Sequence, residues 1–263
     1  MIGVFDSGFG GLTVFKEIEI VLPQYDYIYL GDNARAPYGD HSPEIIYRYT
    51  KQAVDYLRQQ GCRLVVIACN TASADALPKL QEEYGESVKI LGVIWPALEA
   101  VQERGWHRVG LLATRSTVAS GKYTKVVKEI EPTLKIIPVA APLLVPLIEE
   151  GVQQKPWARK IIKGYVQQLK SQNVEAIILG CTHYGIIKKE IGQYAGAAVT
   201  VLDVSHIVAA KLQGYLERHP ELAKALSSGG TRRFLTTDAP KRFNELGRRF
   251  LGRAVQAEQI TLS

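Results

Sequence analysis

Two segments of the sequence join a branched apolar run to a cysteine and then to hydrogen-bonding side chains: Leu64-Val65-Val66-Ile67-Ala68-Cys69-Asn70-Thr71 and Ala176-Ile177-Ile178-Leu179-Gly180-Cys181-Thr182-His183. Each reads as a buried parallel strand that delivers a thiol at its carboxyl end, where ligands sit in open α/β sheets. Two thiols on two equivalent strands point to one site approached from two sides. That arrangement suits taking a proton from one face of a carbon and returning one to the other. A thiol at a strand-to-helix junction meets free amides and the positive end of a helix dipole, so a lowered pKa is expected for Cys69 and Cys181. His183, two residues past Cys181, is spaced to orient or protonate a bound group. Cys62, beside Gly61 in a helix-to-strand connection, reads as packing.

Other polar groups fall at similar junctions. Asp6-Ser7-Gly8-Phe9-Gly10-Gly11 follows a first strand and precedes a helix over Leu12 to Val21. Its glycines permit a tight turn and its amides suit an anion, while Asp6 equally reads as a helix cap. The glycine spacing matches neither a dinucleotide fingerprint nor a P-loop. Ala36-Pro37-Tyr38-Gly39 reads as a rigid turn that exposes an aromatic hydroxyl over the strand ends. Thr114 and Thr117 follow a fifth strand as hydroxyls of the kind that bind polar ligands, the pair Glu149-Glu150 reads as solvated, and Asp203 as a cap for the next helix. Cys181-x-His183 also has a spacing found at zinc sites, but neither cysteine has the C-x₂₋₄-C partner of such sites, so no metal is expected.

The elements that must position these groups alternate along the chain. Strand-like runs lie near 2–5, 26–30, 63–68, 88–93, 108–113, 134–139, 175–180 and 198–202, with amphipathic segments such as Pro43 to Gln60 and Trp157 to Gln172 between them. This is the signature of α/β architecture with parallel sheets flanked by helices. Ile2-Gly3-Val4-Phe5-Asp6-Ser7 can be laid on Val109-Gly110-Leu111-Leu112-Ala113-Thr114, which suggests two pseudo-symmetric lobes with the site in the cleft between them. After Asp203 come helical segments from Ser205 to Leu226, a strand over Arg232 to Thr237 and a helix from Pro240. This tail is too short for a core of its own, so it is expected to return to the first lobe: 1–97 with 206–263 against 98–205.

With 46% hydrophobic residues, the 263-residue chain can bury a substantial core. Ile2-Gly3-Val4-Phe5 already reads as a strand, so no export leader and a cytoplasmic location are expected. The apolar stretch Ile136 to Ile148 is broken by Pro138, Pro142 and Pro146 and falls short of the roughly 20 residues of a membrane span. Three cysteines in such a chain are expected as free thiols. The net charge of +6 gathers at Arg232-Arg233, Lys241-Arg242 and Arg248-Arg249 without interleaved aromatics or a nucleic-acid-binding motif, and reads as a solvated helix face.

Taken in order, Asp6-Ser7-Gly8, Pro37-Tyr38-Gly39, Ala68-Cys69-Asn70-Thr71-Ala72, Pro146-Leu147-Ile148-Glu149 and Gly180-Cys181-Thr182-His183 resemble the glutamate racemases of the cofactor-independent aspartate/glutamate racemase superfamily, over residues 2 to about 250. The resemblance implies interconversion of L- and D-glutamate without pyridoxal phosphate or metal, supplying the D-isomer for peptidoglycan. It implies Cys69 and Cys181 as acid/base thiols, Cys69 acting on D-glutamate and Cys181 on L-glutamate, assisted by Asp6 and His183 and with Glu149 as a further candidate. Ser7, Pro37, Tyr38, Gly39, Asn70, Thr71, Thr114, Thr117 and Thr182, together with Asp6 and His183, are the implied substrate contacts. Ala141 stands where many relatives carry cysteine, and Trp95 stands at a variable position. A homodimer is implied as well; binding to gyrase or nucleic acid has no motif behind it. An aspartate or hydantoin racemase of the same superfamily, and a bilobal anion-binding protein without chemistry, are the alternatives.

Overall fold

The computed structural model describes residues 1–85 and 87–263. Its strands are β1 (Ile2–Asp6), β2 (Tyr27–Gly31), β3 (Leu64–Ile67), β4 (Lys89–Gly92), β5 (Arg108–Ala113), β6 (Lys135–Ala140), β7 (Ala176–Gly180), β8 (Thr200–Leu202), β9 (Arg232–Thr236) and β10 (Ala257–Gln259). They form a six-stranded sheet, β10-β9-β2-β1-β3-β4, and a four-stranded sheet, β6-β5-β7-β8. Every neighbouring pair is parallel. The order β2-β1-β3-β4 recurs as β6-β5-β7-β8, so β1 matches β5 and the strands before the two cysteines, β3 and β7, are equivalent.

Branched runs with no polar alternation become strands covered on both faces: β1, β2, β3 and β7 are buried along their whole length. The edge strands β4, β6 and β8 are partly exposed. Pro138, which has no amide to donate, falls in the edge strand β6.

The helices are α1 (Leu12–Val21), α2 (Pro43–Gln59), α3 (Asn70–Asp75), α4 (Leu77–Tyr84), α5 (Ile94–Gln102), α6 (Arg115–Ala119), α7 (Lys122–Ile130), α8 (Leu144–Glu149), α9 (Pro156–Lys170), α10 (Lys188–Ala195), α11 (Val204–Arg218), α12 (Pro220–Ala225) and α13 (Pro240–Leu251). The helical run expected from Ser205 to Leu226 is two helices. Pro220 disfavours helical backbone at the residue before it, and His219 leaves the helix at φ −123°, ψ 65°. Asp203 caps α11, accepting a 3.0 Å bond from the Ser205 amide. The short β10 was not expected; three residues carry no readable period.

One cluster of buried side chains runs from Ile2, Val4, Phe15 and Tyr29 through Val101 to Val109, Leu111 and Ile177, and so belongs to both sheets. Phe5, Leu30, Leu57, Val65 and Leu80 fill the other face of the larger sheet. Helix α11 packs on α1 and α5 and touches the segment after β7. The carboxyl ends of β1, β3 and β7 are thereby brought to one place. Among the described residues no helix is long and apolar enough to cross a membrane.

Candidate active site

Cys69 is the last residue before α3, with φ −64° and ψ 120°; Cys181 precedes a 3-10 turn over Thr182–Ile187, with φ −151° and ψ 135°. Cys69 is the second residue past β3 and Cys181 the first past β7; each is extended and is followed directly by a helical turn, leaving its side chain at the turn's amino end. Both thiols line a single cavity of about 420 Å³ including its mouth. From the larger sheet come Ser7 and Gly8 after β1, Ala36 to Gly39 after β2, and Asn70 and Thr71 after β3. The smaller sheet gives Thr114 after β5, Val145 and Glu149 from α8, and Thr182 and His183 after β7.

Two of the expected residues stand behind this wall. Asp6 is fully buried; its carboxylate accepts from the Gly8 amide at 2.9 Å and from Thr182 Oγ1 at 3.3 Å, which ties the two halves together. It does not cap α1, whose first turn has no side-chain cap. Thr117 is buried in a hydroxyl triangle with Thr71 at 3.2 Å and Thr114 at 2.9 Å, and Thr71 and Thr114 are themselves 2.9 Å apart.

Three further expectations are corrected. Tyr38 does not expose its hydroxyl: the side chain is 1% accessible and donates to Asp32, a wholly buried carboxylate that also takes Arg35 Nε at 2.7 Å. Glu149 is not simply solvated, since its Oε1 lies 3.0 Å from His183 Nε2. The expected turn over Gly8, Gly10 and Gly11 is present between β1 and α1, formed without positive φ. What Gly10 supplies is close approach, for a Cβ there would stand 2.3 Å from Thr182 Oγ1 and 2.4 Å from His183 Nδ1. The late basic cluster is not only a solvated face: Arg249 on α13 donates to the carbonyls of Ile148 at 2.7 Å and Glu149 at 3.1 Å.

Sequence reasoning missed the residues that hold the site from behind. Tyr123 donates to Asn70 Oδ1 at 2.6 Å, and the Phe250 ring meets His183 edge to face at 5.3 Å. Neither sits in a motif. A separate groove, lined by Leu77, Leu91, Trp95, Val208 and Tyr215, contains none of the expected site residues.

The sequence model of a family described as Asp/Glu/Hydantoin racemase matches residues 3–212. The chain belongs to that family. Among its similar racemases is one named glutamate racemase from Geobacter metallireducens, 41% identical over 95% of this chain and 92% of its own length. The crystal structure of glutamate racemase isoform RacE1 from Bacillus anthracis superposes with a TM-score of 0.93 at 32% identity, covering 100% of this chain and 97% of that one. Glutamate racemase from Francisella tularensis in complex with D-glutamate gives 0.91 at 34% identity, over 100% and 97%. The two-sheet α/β architecture is therefore that of solved racemases, and the binding-protein alternative gives way to an isomerase.

In this racemase-family site burial and close partners together set the charges. The Cys69 thiol is not acidified: burial, and then the neighbouring Asp6 carboxylate, push it up to about 12, although Ser7 Oγ at 3.4 Å and the Ala72 amide favour the thiolate. The expected dipole effect is outweighed because the sulfur has been taken out of water. Asp6 is also raised, by burial first, against the pull of His183 and its hydrogen bonds. For His183 burial works the other way, but Cys181, whose sulfur is 3.9 Å from Nδ1, and Glu149 outweigh it and hold the imidazolium up to about 10. Near neutral pH Cys69 is a proton donor, and a cation stands beside Cys181. Among the described residues no group of three or more His, Cys, Asp or Glu is arranged to hold a metal.

Proposed function

We propose that this chain interconverts L- and D-glutamate by proton removal at Cα on one face and proton return on the other, with Cys181 acting on the L-isomer and Cys69 on the D-isomer. The observation that carries this reading is that two thiols from equivalent strands of two sheets line the same cavity. A carbon acid roughly 12 pK units weaker than a thiol leaves a deficit of about 16 kcal/mol. Donors around the substrate carboxylate must supply it by strengthening as charge moves onto the oxygens. Ser7, the Tyr38 and Gly39 backbone, Asn70, Thr71, Thr114 and Thr182 are assigned that role, with Asp6 and Thr117 fixing them from behind. His183, held by Glu149, is the counter-charge to a Cys181 thiolate, and the Cys69 thiol protonates the opposite face. Reaction from the D-isomer exchanges these roles.

Neither pyridoxal phosphate nor a metal takes part in this scheme. The product feeds peptidoglycan synthesis in the cytoplasm, the assembly is a homodimer, and the lobes divide at 97/98 and 205/206. Circular dichroism of L-glutamate incubated with purified, EDTA-treated protein should decay to zero. L-aspartate run in parallel should hold its signal; decay of aspartate alone would replace glutamate as substrate. Cys69→Ser and Cys181→Ser should each slow racemisation by about 10²- to 10⁴-fold. Either variant racemising at the parent rate would remove the two-thiol scheme.

A further inference from the structure

Asn70 occupies a peculiar place. With Cys181 and Thr182 it lines both the front cavity that holds the two thiols and a smaller one of about 240 Å³ behind it, bounded by Val14, Val93, Asp203 and Ser205. Its amide has one acceptor and two donor hydrogens, and a half-turn of the side-chain end exchanges them. Which end faces the substrate therefore depends on what claims the other. The claimant is Tyr123 on α7, 1% accessible, whose hydroxyl donates to Asn70 Oδ1 at 2.6 Å. No other acceptor takes that proton among the described residues, and an orphaned hydroxyl proton at this depth is costly. The amide oxygen is thus fixed, and among the described residues the NH₂ group has no protein partner, yet it is not sealed off as the Asn33 Nδ2 is.

We propose that Tyr123 is a positioning residue of this site: by holding Asn70 Oδ1 it turns Asn70 Nδ2 toward the substrate carboxylate, where a donor is needed as charge builds on the oxygens. The inference rests on the racemase reading above. Tyr123 is carried by α7, which follows β5 of the smaller sheet, and Asn70 by α3, which follows β3 of the larger, so the bond also spans the two halves. Burial raises the phenol well above its ordinary range, so it remains a donor wherever the enzyme is folded.

A double-mutant cycle tests it. Tyr123→Phe keeps the ring and removes only the hydroxyl; kcat/KM for L-glutamate should fall about tenfold in the parent chain and less than about twofold in an Asn70→Ala background. Equal losses in both backgrounds would mean that Tyr123 acts through general packing, and no loss in the parent would mean that it does not act; either overturns the proposal. Asn70→Asp tests the donor without touching Tyr123, since the carboxylate still accepts from the phenol but offers no NH₂. Its kcat/KM should drop at least as far as that of Asn70→Ala, and parent-like activity would overturn the donor role. A parent chain that leaves L-glutamate unracemised would overturn the reading and the inference together, whereas an active parent with an additive cycle removes the inference alone.

Discussion

At the scale of residues, His183 is where the site's charge is most sensitive. Burial alone would lower its pKa, yet the Cys181 sulfur on one side and the Glu149 carboxylate on the other hold it at about 10 instead of 6.5. Replacing Glu149 by Gln keeps a hydrogen-bond acceptor for Nε2 but removes the charge, so the His183 titration should move down toward neutrality. Imidazole ¹³C or ¹⁵N shifts across pH 6 to 11 would register this, and an unchanged midpoint would show that Glu149 exerts no electrostatic hold. The folded value lies above the unfolded one, so the associated stability is complete below about pH 6.5 and is lost as pH rises toward about 10. The melting temperature of the parent should therefore decline through that window more steeply than that of Glu149→Gln. The same residues mark the limit of what the sequence discloses. Cys69 and Cys181 are legible because strand, small residue, thiol and hydroxyl lie consecutively in the chain. The displaced pKa values are not: at Cys69 they arise from burial and then from Asp6, and at His183 from Cys181 and Glu149 acting against burial, so they depend on depth in the fold and on partners such as Asp6 and Glu149 that lie far away in sequence.

At the scale of elements, the smallest parts of the site are the most dependent on others. Helix α8 is six residues long, includes Pro146, and has no side-chain cap at its start. Isolated, such a turn is far below the length at which helices persist in water. Its last carbonyls are taken by the Arg249 guanidinium of α13, whose next residue, Phe250, packs on His183. A charged group at the carboxyl end of a helix both fills orphan acceptors and meets the favourable end of the dipole. Arg249→Met should lower the melting temperature by about 1 to 4 °C, because the residue is exposed overall and its bonds are correspondingly modest. It should also reduce racemisation through the loosened Glu149. Substitution of Arg248, exposed on the same helix, should do neither; equal effects from both would assign the loss to net charge. The alternation that writes the strands and long helices into the sequence carries no signal for such a clamp. Residues 149 and 249 meet only because α13 packs back against α1, which the βα turn after β1 leads into.

At the scale of the whole molecule, the repeated strand order suggests two units, but the interior is continuous. Buried side chains connect Ile2 and Val4 of β1 through Leu98 and Val101 of α5 to Val109 of β5 and Ile177 of β7 without a polar break. Asp6 with Thr182, and Thr71 with Thr114 and Thr117, add polar bonds between the halves at the cavity itself. The alternation of strands and helices suggests where the chain divides, yet period and composition do not reveal how much apolar surface the halves bury against each other. If that shared core governs stability, neither sheet can unfold without exposing the other's packing. Calorimetry should then give one transition with a calorimetric to van't Hoff enthalpy ratio near 1. D-glutamate at 100 times its dissociation constant should move that whole transition, by about 2.7 kcal/mol of added stability, because residues of both halves line the cavity. Two peaks, of which the ligand shifts one, would mean instead that the sheets unfold as separate units and that the cavity between them is held by its polar bridges alone.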